Sequence, residues 1–132
     1  MKNINKMKHI KLFEKFLNFD EELLKDDIDG ILVELKDEGF EITTSIFKTM
    51  GRKTISITLH REVNDQYIDF NTNDINIYIL TLVDYIKYKL GKDIYIEYLY
   101  WDYRNNMFSR FDFNDENKNM SAFKLSIVTF HN

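Results

Sequence analysis

Twice along this chain an apolar stripe of helical period ends at a glycine and gives way to strict alternation of apolar and polar residues. In the first passage Leu24, Ile28, Ile31 and Leu35 form the stripe with Leu32 beside it, Gly39 ends it, and Phe40, Ile42, Thr44 and Ile46 alternate. In the second, Ile75, Ile79, Leu82, Ile86 and Leu90 lead to Gly91, after which Ile94, Ile96, Tyr98 and Tyr100 alternate. A stripe of period 3.6 is a helix with one buried side, and period two is a strand with one buried face. Each alternating run has a successor. Ile55, Ile57 and Leu59 follow the polar bridge Lys48–Arg52, which reads as a hairpin turn, and Phe123, Leu125, Ile127 and Thr129 form the last strand. Shorter strands are expected at Tyr67–Phe70 and at Phe111 and Phe113, ahead of a turn-rich break at Asp115–Asn119.

An antiparallel sheet of four or more strands with alternating faces needs a cover on one side, and two amphipathic helices supply it. The expected fold is therefore α+β, a two-layer sandwich in tandem α-β-β order. With 132 residues and no cysteine, the chain is one domain's worth of polypeptide without disulfides or thiolate chemistry. That domain spans residues 19–132, preceded by an N-terminal arm, residues 1–18. Helix ends are well marked: Asp20 suits the first N-cap, Phe19 and Leu24 form a hydrophobic staple, and Asn71 or Thr72 caps the later helix. Gly30 falls in mid-helix at a cost of about 1 kcal/mol against alanine, for which close packing there is one explanation.

The arm is basic and amphipathic. Ile10, Phe13 and Leu17, with Leu12 and Phe16, recur at helical spacing over residues 8–18, while Lys8, Lys11 and Lys15 supply charge. These lysines and Glu14 interrupt the apolar positions, so the segment is no signal peptide. Such a helix either packs on its own domain or docks on a partner, as helix-in-groove segments do. Residues 20–41 hold ten acids against Lys25 and Lys36, within a net charge of -4 for the chain. An acidic body argues against nucleic acid as the main partner. No apolar run approaches the ~20 residues of a membrane span, so no membrane association is expected.

Catalytic signatures are missing. The histidines His9, His60 and His131 are isolated in sequence, without HxH or HExxH spacing, and the expectation is no metal site and no cofactor. Asp26, Asp27 and Asp29 lack the pattern of a calcium loop and read as a solvated helix face. Neither a Walker loop, GxGxxG nor GxSxG occurs, and nothing selects a catalytic pair among 22 acids. The one feature resembling a site is the aromatic tract Tyr95–Tyr103. Alternation assigns Tyr98 and Tyr100 to the core and puts Tyr95, Trp101 and Tyr103 on the other face. There they serve packing, a protein-binding hot spot, or a stacking platform for single strands beside Arg104 and Arg110.

The segment Met7-Lys8-His9-Ile10-Lys11-Leu12-Phe13-Glu14-Lys15-Phe16 resembles the "KLFExF" starts of small uncharacterised proteins of tailed bacteriophages. Leu32–Phe40 is similar to a helix, acidic turn, Gly-Phe, strand phrase in such proteins, and Leu82–Ile86 to their second helix. The abundance of Ile, Lys and Asn, with a single alanine (Ala122) and no proline, matches an AT-rich genome. The resemblance rests on structural phrases, carries no functional residue across, and implies a phage protein of the host cytoplasm or the virion. The expected function is a non-enzymatic protein-interaction module. Its contacts would be Ile10, Phe13, Phe16 and Leu17 with Lys8, Lys11 and Lys15, the sheet edge, and Tyr95, Trp101 and Tyr103; its partner is another protein or a second copy. The alternatives are an early inhibitor of a host enzyme or defence complex and, third, a weak single-strand binder.

Overall fold

The computed structural model describes residues 21–91, 93–102, 106–114 and 117–130. The arm, Phe19, Asp20, Tyr103, Arg104 and His131 lie outside the described residues, and so do the readings made for them. The chain runs through α1 (Glu21–Ile31), α2 (Val33–Asp37), β1 (Phe40–Thr49), β2 (Arg52–Val63), β3 (Gln66–Ile68) and β4 (Phe70–Asn71). It continues with α3 (Thr72–Leu90), β5 (Ile94–Asp102), β6 (Met107–Arg110), β7 (Asn119–Met120) and β8 (Ala122–Phe130). The class is α+β. Five strands follow the order β1-β2-β8-β5-β6, β3 adds a sixth by pairing with β2, and every pairing is antiparallel. β4 and β7 form a separate two-stranded piece.

The long stripe expected over residues 24–35 is two helices. At Leu32 the backbone leaves the helical track (φ -97, ψ 10), and the Leu35 N–H donates to the Leu32 carbonyl at 3.0 Å, one residue short of an α-helical bond. The extra tightness brings Leu32 inward with Leu24, Ile28 and Leu35, and leaves Ile31 half-buried. Gly39 (φ 93) and Gly91 (φ 88) end α2 and α3 in a conformation that a Cβ disfavours. The α3 start is closed reciprocally. The Asn73 N–H donates to Asn71 Oδ1 at 3.0 Å, and the Asn71 N–H donates to Asp74 Oδ2 at 2.8 Å.

Gly30 has no tight neighbour: a Cβ there would meet nothing within 4 Å, which removes close packing as its reason. Gly30→Ala is therefore expected to raise stability by about 0.5–1 kcal/mol through helix propensity alone, read as an increased urea midpoint at constant slope.

Ile55, Ile57 and Leu59 of β2 face Ile127, Leu125 and Phe123 of β8, which in turn face Ile96, Tyr98 and Tyr100 of β5. These residues join Leu24, Ile28, Ile75, Ile79, Leu82 and Ile86 from the helices in one core cluster. Phe111 and Phe113, expected in a strand, follow β6 as irregular chain instead. They fold back so that Phe113 stacks on Tyr98 (5.1 Å, 9°) and Phe111 meets Tyr100 edge-on (5.4 Å, 88°). Alternation alone does not separate a strand from two aromatics dipping into one cluster. Two phenols bridge the helices: Tyr78 donates to Glu34 at 2.7 Å, and Tyr85 donates to Asp27. Burial and the Asp27 carboxylate push the Tyr85 phenol up to about 12. Asp29 pairs with Lys36 at 3.1 Å, so two of the three clustered acids hold structure together instead of only facing solvent.

Lys53, on the core side of β2, is fully buried, with its ammonium 3.3 Å from Glu21 Oε1 at the start of α1. Burial works to raise the Glu21 carboxyl, but its bonds and charge interactions with Lys53 and Lys48 outweigh that and lower it below the ordinary value. A lowered folded-state pKa contributes stability above the unfolded carboxyl pKa, and that contribution is lost as pH falls through the folded value. Glu21→Gln is expected to lower the melting temperature at neutral pH and to flatten its acid-side fall. Lys53→Met, which removes the buried charge itself, is expected to be tolerated better.

Candidate functional site

The polar positions of the alternating strands assemble the second face of the sheet. Strand register sets their neighbours. Glu41 lies opposite His60, His60 opposite Ala122, Ala122 opposite Trp101, and Trp101 opposite Phe108. One row of side chains thus crosses β1, β2, β8, β5 and β6. β3 adds Tyr67, which lies opposite Glu62, and whose ring meets His60 edge-on at 5.2 Å. The β2–β3 turn that delivers Tyr67 has positive φ at Asn64 and Asp65, as a tight type I′ connection requires.

The row has a gap at its centre. Ala122, the single alanine of the chain, projects one carbon between the His60–Tyr67 pair and the Trp101–Phe108 pair, whose rings are 5.1 Å apart. The result is a groove of ≈ 240 Å³ lined by His60, Tyr67, Trp101, Phe108, Ser121 and Ala122. Ser121 is fixed at its floor: its N–H donates to the Trp101 carbonyl (2.9 Å) and its hydroxyl to Asp69 Oδ1 (3.0 Å). Lys124 lies over the Phe108 ring at 5.3 Å.

Trp101 is therefore at the site, with neighbours that proximity in sequence does not group. Tyr95 lies on the same face but six residues away along β5, in a different row with Val128, Thr54 and Phe47. Phe47, Tyr95 and Phe130 are about half exposed and form a second apolar area at that end of the face. Tyr95 and Trp101 do not make one platform. Tyr98 and Tyr100 pack against the core as expected, and burial, with Asp84 and Asp112 nearby, raises the Tyr98 phenol. Arg110 is held by Glu97 at 2.8 Å.

His60 is not isolated in space. Its Nε2 is 3.5 Å from Glu41 Oε2 and 3.9 Å from Glu62 Oε2, at one end of the groove. The sequence does contain a signal for this. With Thr49 opposite Arg52 across the tight Met50–Gly51 turn, counting back along the hairpin sets Glu41 opposite His60, and Glu62 is two residues on along the same face.

Among the described residues no helix is long and apolar enough to cross a membrane. No family model, curated protein or solved structure matches the chain, so its functional reading rests on its own residues.

Proposed function

We propose that this protein is a non-enzymatic protein-interaction module, encoded by a tailed phage and acting in the host cytoplasm or the virion. In this reading helices and sheet form a two-layer sandwich, and the face turned from the helices is the docking surface. One observation carries it: Trp101, Phe108, Tyr67 and His60 converge around Ala122 on the face opposite the buried strand residues. Rigid aromatic side chains around a small concavity have the composition and shape of interface hot spots. The phage assignment rests on the resemblance carried by Met7–Phe16 and Leu32–Phe40.

Charge narrows the partner. Glu41 and Glu62 stand at the His60 end of the groove, while Arg110 is engaged by Glu97 and Lys124 lies over the Phe108 ring on the far side, so the His60 end favours a basic segment over a phosphate backbone. An apolar anchor flanked by lysines fits it. The arm of a second copy has that chemistry, with Ile10, Phe13, Phe16 and Leu17 beside Lys8, Lys11 and Lys15. β1 adds a further contact, because among the described residues it pairs only with β2 and leaves its other edge for a partner strand.

Co-expressed tagged and untagged copies test the reading. The untagged chain is expected to co-purify, and to be lost from both Trp101→Ala and the double variant Phe13→Asp, Phe16→Asp. Retention in both variants removes groove and arm from the account. Saturable quenching of Trp101, the only tryptophan, by an oligonucleotide at low salt would move the groove to single-strand binding.

A further inference from the structure

We propose that Glu41, His60 and Glu62 form a binding site for a borderline divalent transition-metal ion, with Zn²⁺ as its representative. The three residues are brought together by backbone pairing and not by flexible loops. Glu41 and His60 are direct cross-strand partners, and Glu62 follows His60 by two residues on the same face. Their ligand atoms all lie within 4.8 Å of one another.

The spacing suits a metal. Bonds of about 2.0–2.2 Å in a tetrahedral centre place ligand atoms roughly 3.3–3.6 Å apart. His60 Nε2 stands 3.5 Å from one carboxylate and 3.9 Å from the other, close to that spacing. Contact with Tyr67, at 5.2 Å and 61°, restricts the imidazole ring from one side.

Charge argues the same way. Among the described residues neither Glu41 nor Glu62 has a lysine or arginine within ion-pairing distance, and the basic side chain between them is the His60 imidazole. Arg61, between His60 and Glu62 in sequence, alternates to the other face and lies over the Phe40 ring at 5.7 Å. Two carboxylates thus converge on one imidazole without a fixed positive charge, which a divalent cation supplies. A set that includes imidazole nitrogen suits zinc and the other borderline ions over calcium or magnesium, which take oxygen ligands. Three protein ligands leave a fourth position for water or for a group from a docked partner.

Isothermal titration of the full chain with Zn²⁺ alone, and visible absorption on adding Co²⁺, test the site without reference to any partner. One ion per chain is expected to bind, with d–d bands of low coordination for Co²⁺. Glu41→Gln, Glu62→Gln and His60→Asn are each expected to weaken Zn²⁺ at least about tenfold, whereas His9→Ala and His131→Ala leave it unchanged. Glu41 is an exposed side chain, so Glu41→Gln keeps the test informative should His60→Asn disturb the sheet. Binding that is absent, that survives all three ligand variants, or that is lost only with His9 or His131 overturns the proposal. The groove is tested separately by Trp101→Ala in metal-free buffer, so failure of the metal site leaves that reading standing.

Discussion

Phe123→Ala is expected to cost about 3–5 kcal/mol, the range for truncating a buried aromatic. Phe123 is fully buried in the central strand β8, where it faces Leu59 on one side and Tyr100 on the other. Its ring also lies 5.3 Å from Phe113 and 6.2 Å from Phe111, so it is the piece on which the irregular segment after β6 rests. Truncation leaves a cavity bounded by two strands and that segment, and close-packed interiors relax only partly around such a void. Against a total stability of about 5–15 kcal/mol, the loss removes a large share of the folded state's margin. Thermal melts should show a midpoint lower by roughly 10–20 °C. A fall of only a degree or two would mean that the aromatic cluster does not carry the sheet's centre.

The adjacent residue should behave in the opposite way. Ala122→Leu is expected to leave the melting temperature nearly unchanged and to abolish partner capture. Ala122 and Phe123 are consecutive in β8 and so point to opposite faces; the alanine side chain meets only the groove. Leucine fits an extended strand at least as well as alanine, but it occupies the space between the two aromatic pairs. Losing a hot-spot pocket costs 2 kcal/mol or more, about thirtyfold in affinity. Co-purification at matched expression, with melting curves for both proteins, checks the result. Undiminished capture by a folded Ala122→Leu chain would place the partner elsewhere, for example on the area around Phe47, Tyr95 and Phe130.

Much of the fold, and less of the groove, was legible in the sequence. The helices and the four long strands were, because Leu24 to Leu35, Ile75 to Leu90 and the alternating runs each repeat one period over many residues. Gly39 and Gly91 marked ends correctly because a positive φ is a local requirement. The break at Leu32 was not legible, since a residue shifted from an i+4 to an i+3 bond keeps the same apolar face. Nor was β6: Met107–Arg110 is too short for a period, and nearby Phe111 and Phe113 imitate one. The groove was only half visible. Trp101 could be assigned to a face from its own strand, but His60, Tyr67 and Ala122 join it only through long-range strand pairing, with Ala122 of β8 paired to Trp101 on one side and to His60 on the other. Tyr95 and Trp101 share a face by parity, and parity carries no information on distance along the strand.

Strand order has one further consequence, for synthesis. β2 and β5 meet only through β8, and the partners Arg52 and Phe130, or His60 and Ala122, are separated by nearly the whole second half of the sequence. On the ribosome, β1 and β2 are made early and must wait as a hairpin with one unsatisfied border until the last strand emerges. Such long-range closure is slow and leaves the nascent polypeptide exposed to misassociation. Release of a chain truncated before residue 122 should therefore yield aggregates, not a smaller folded protein.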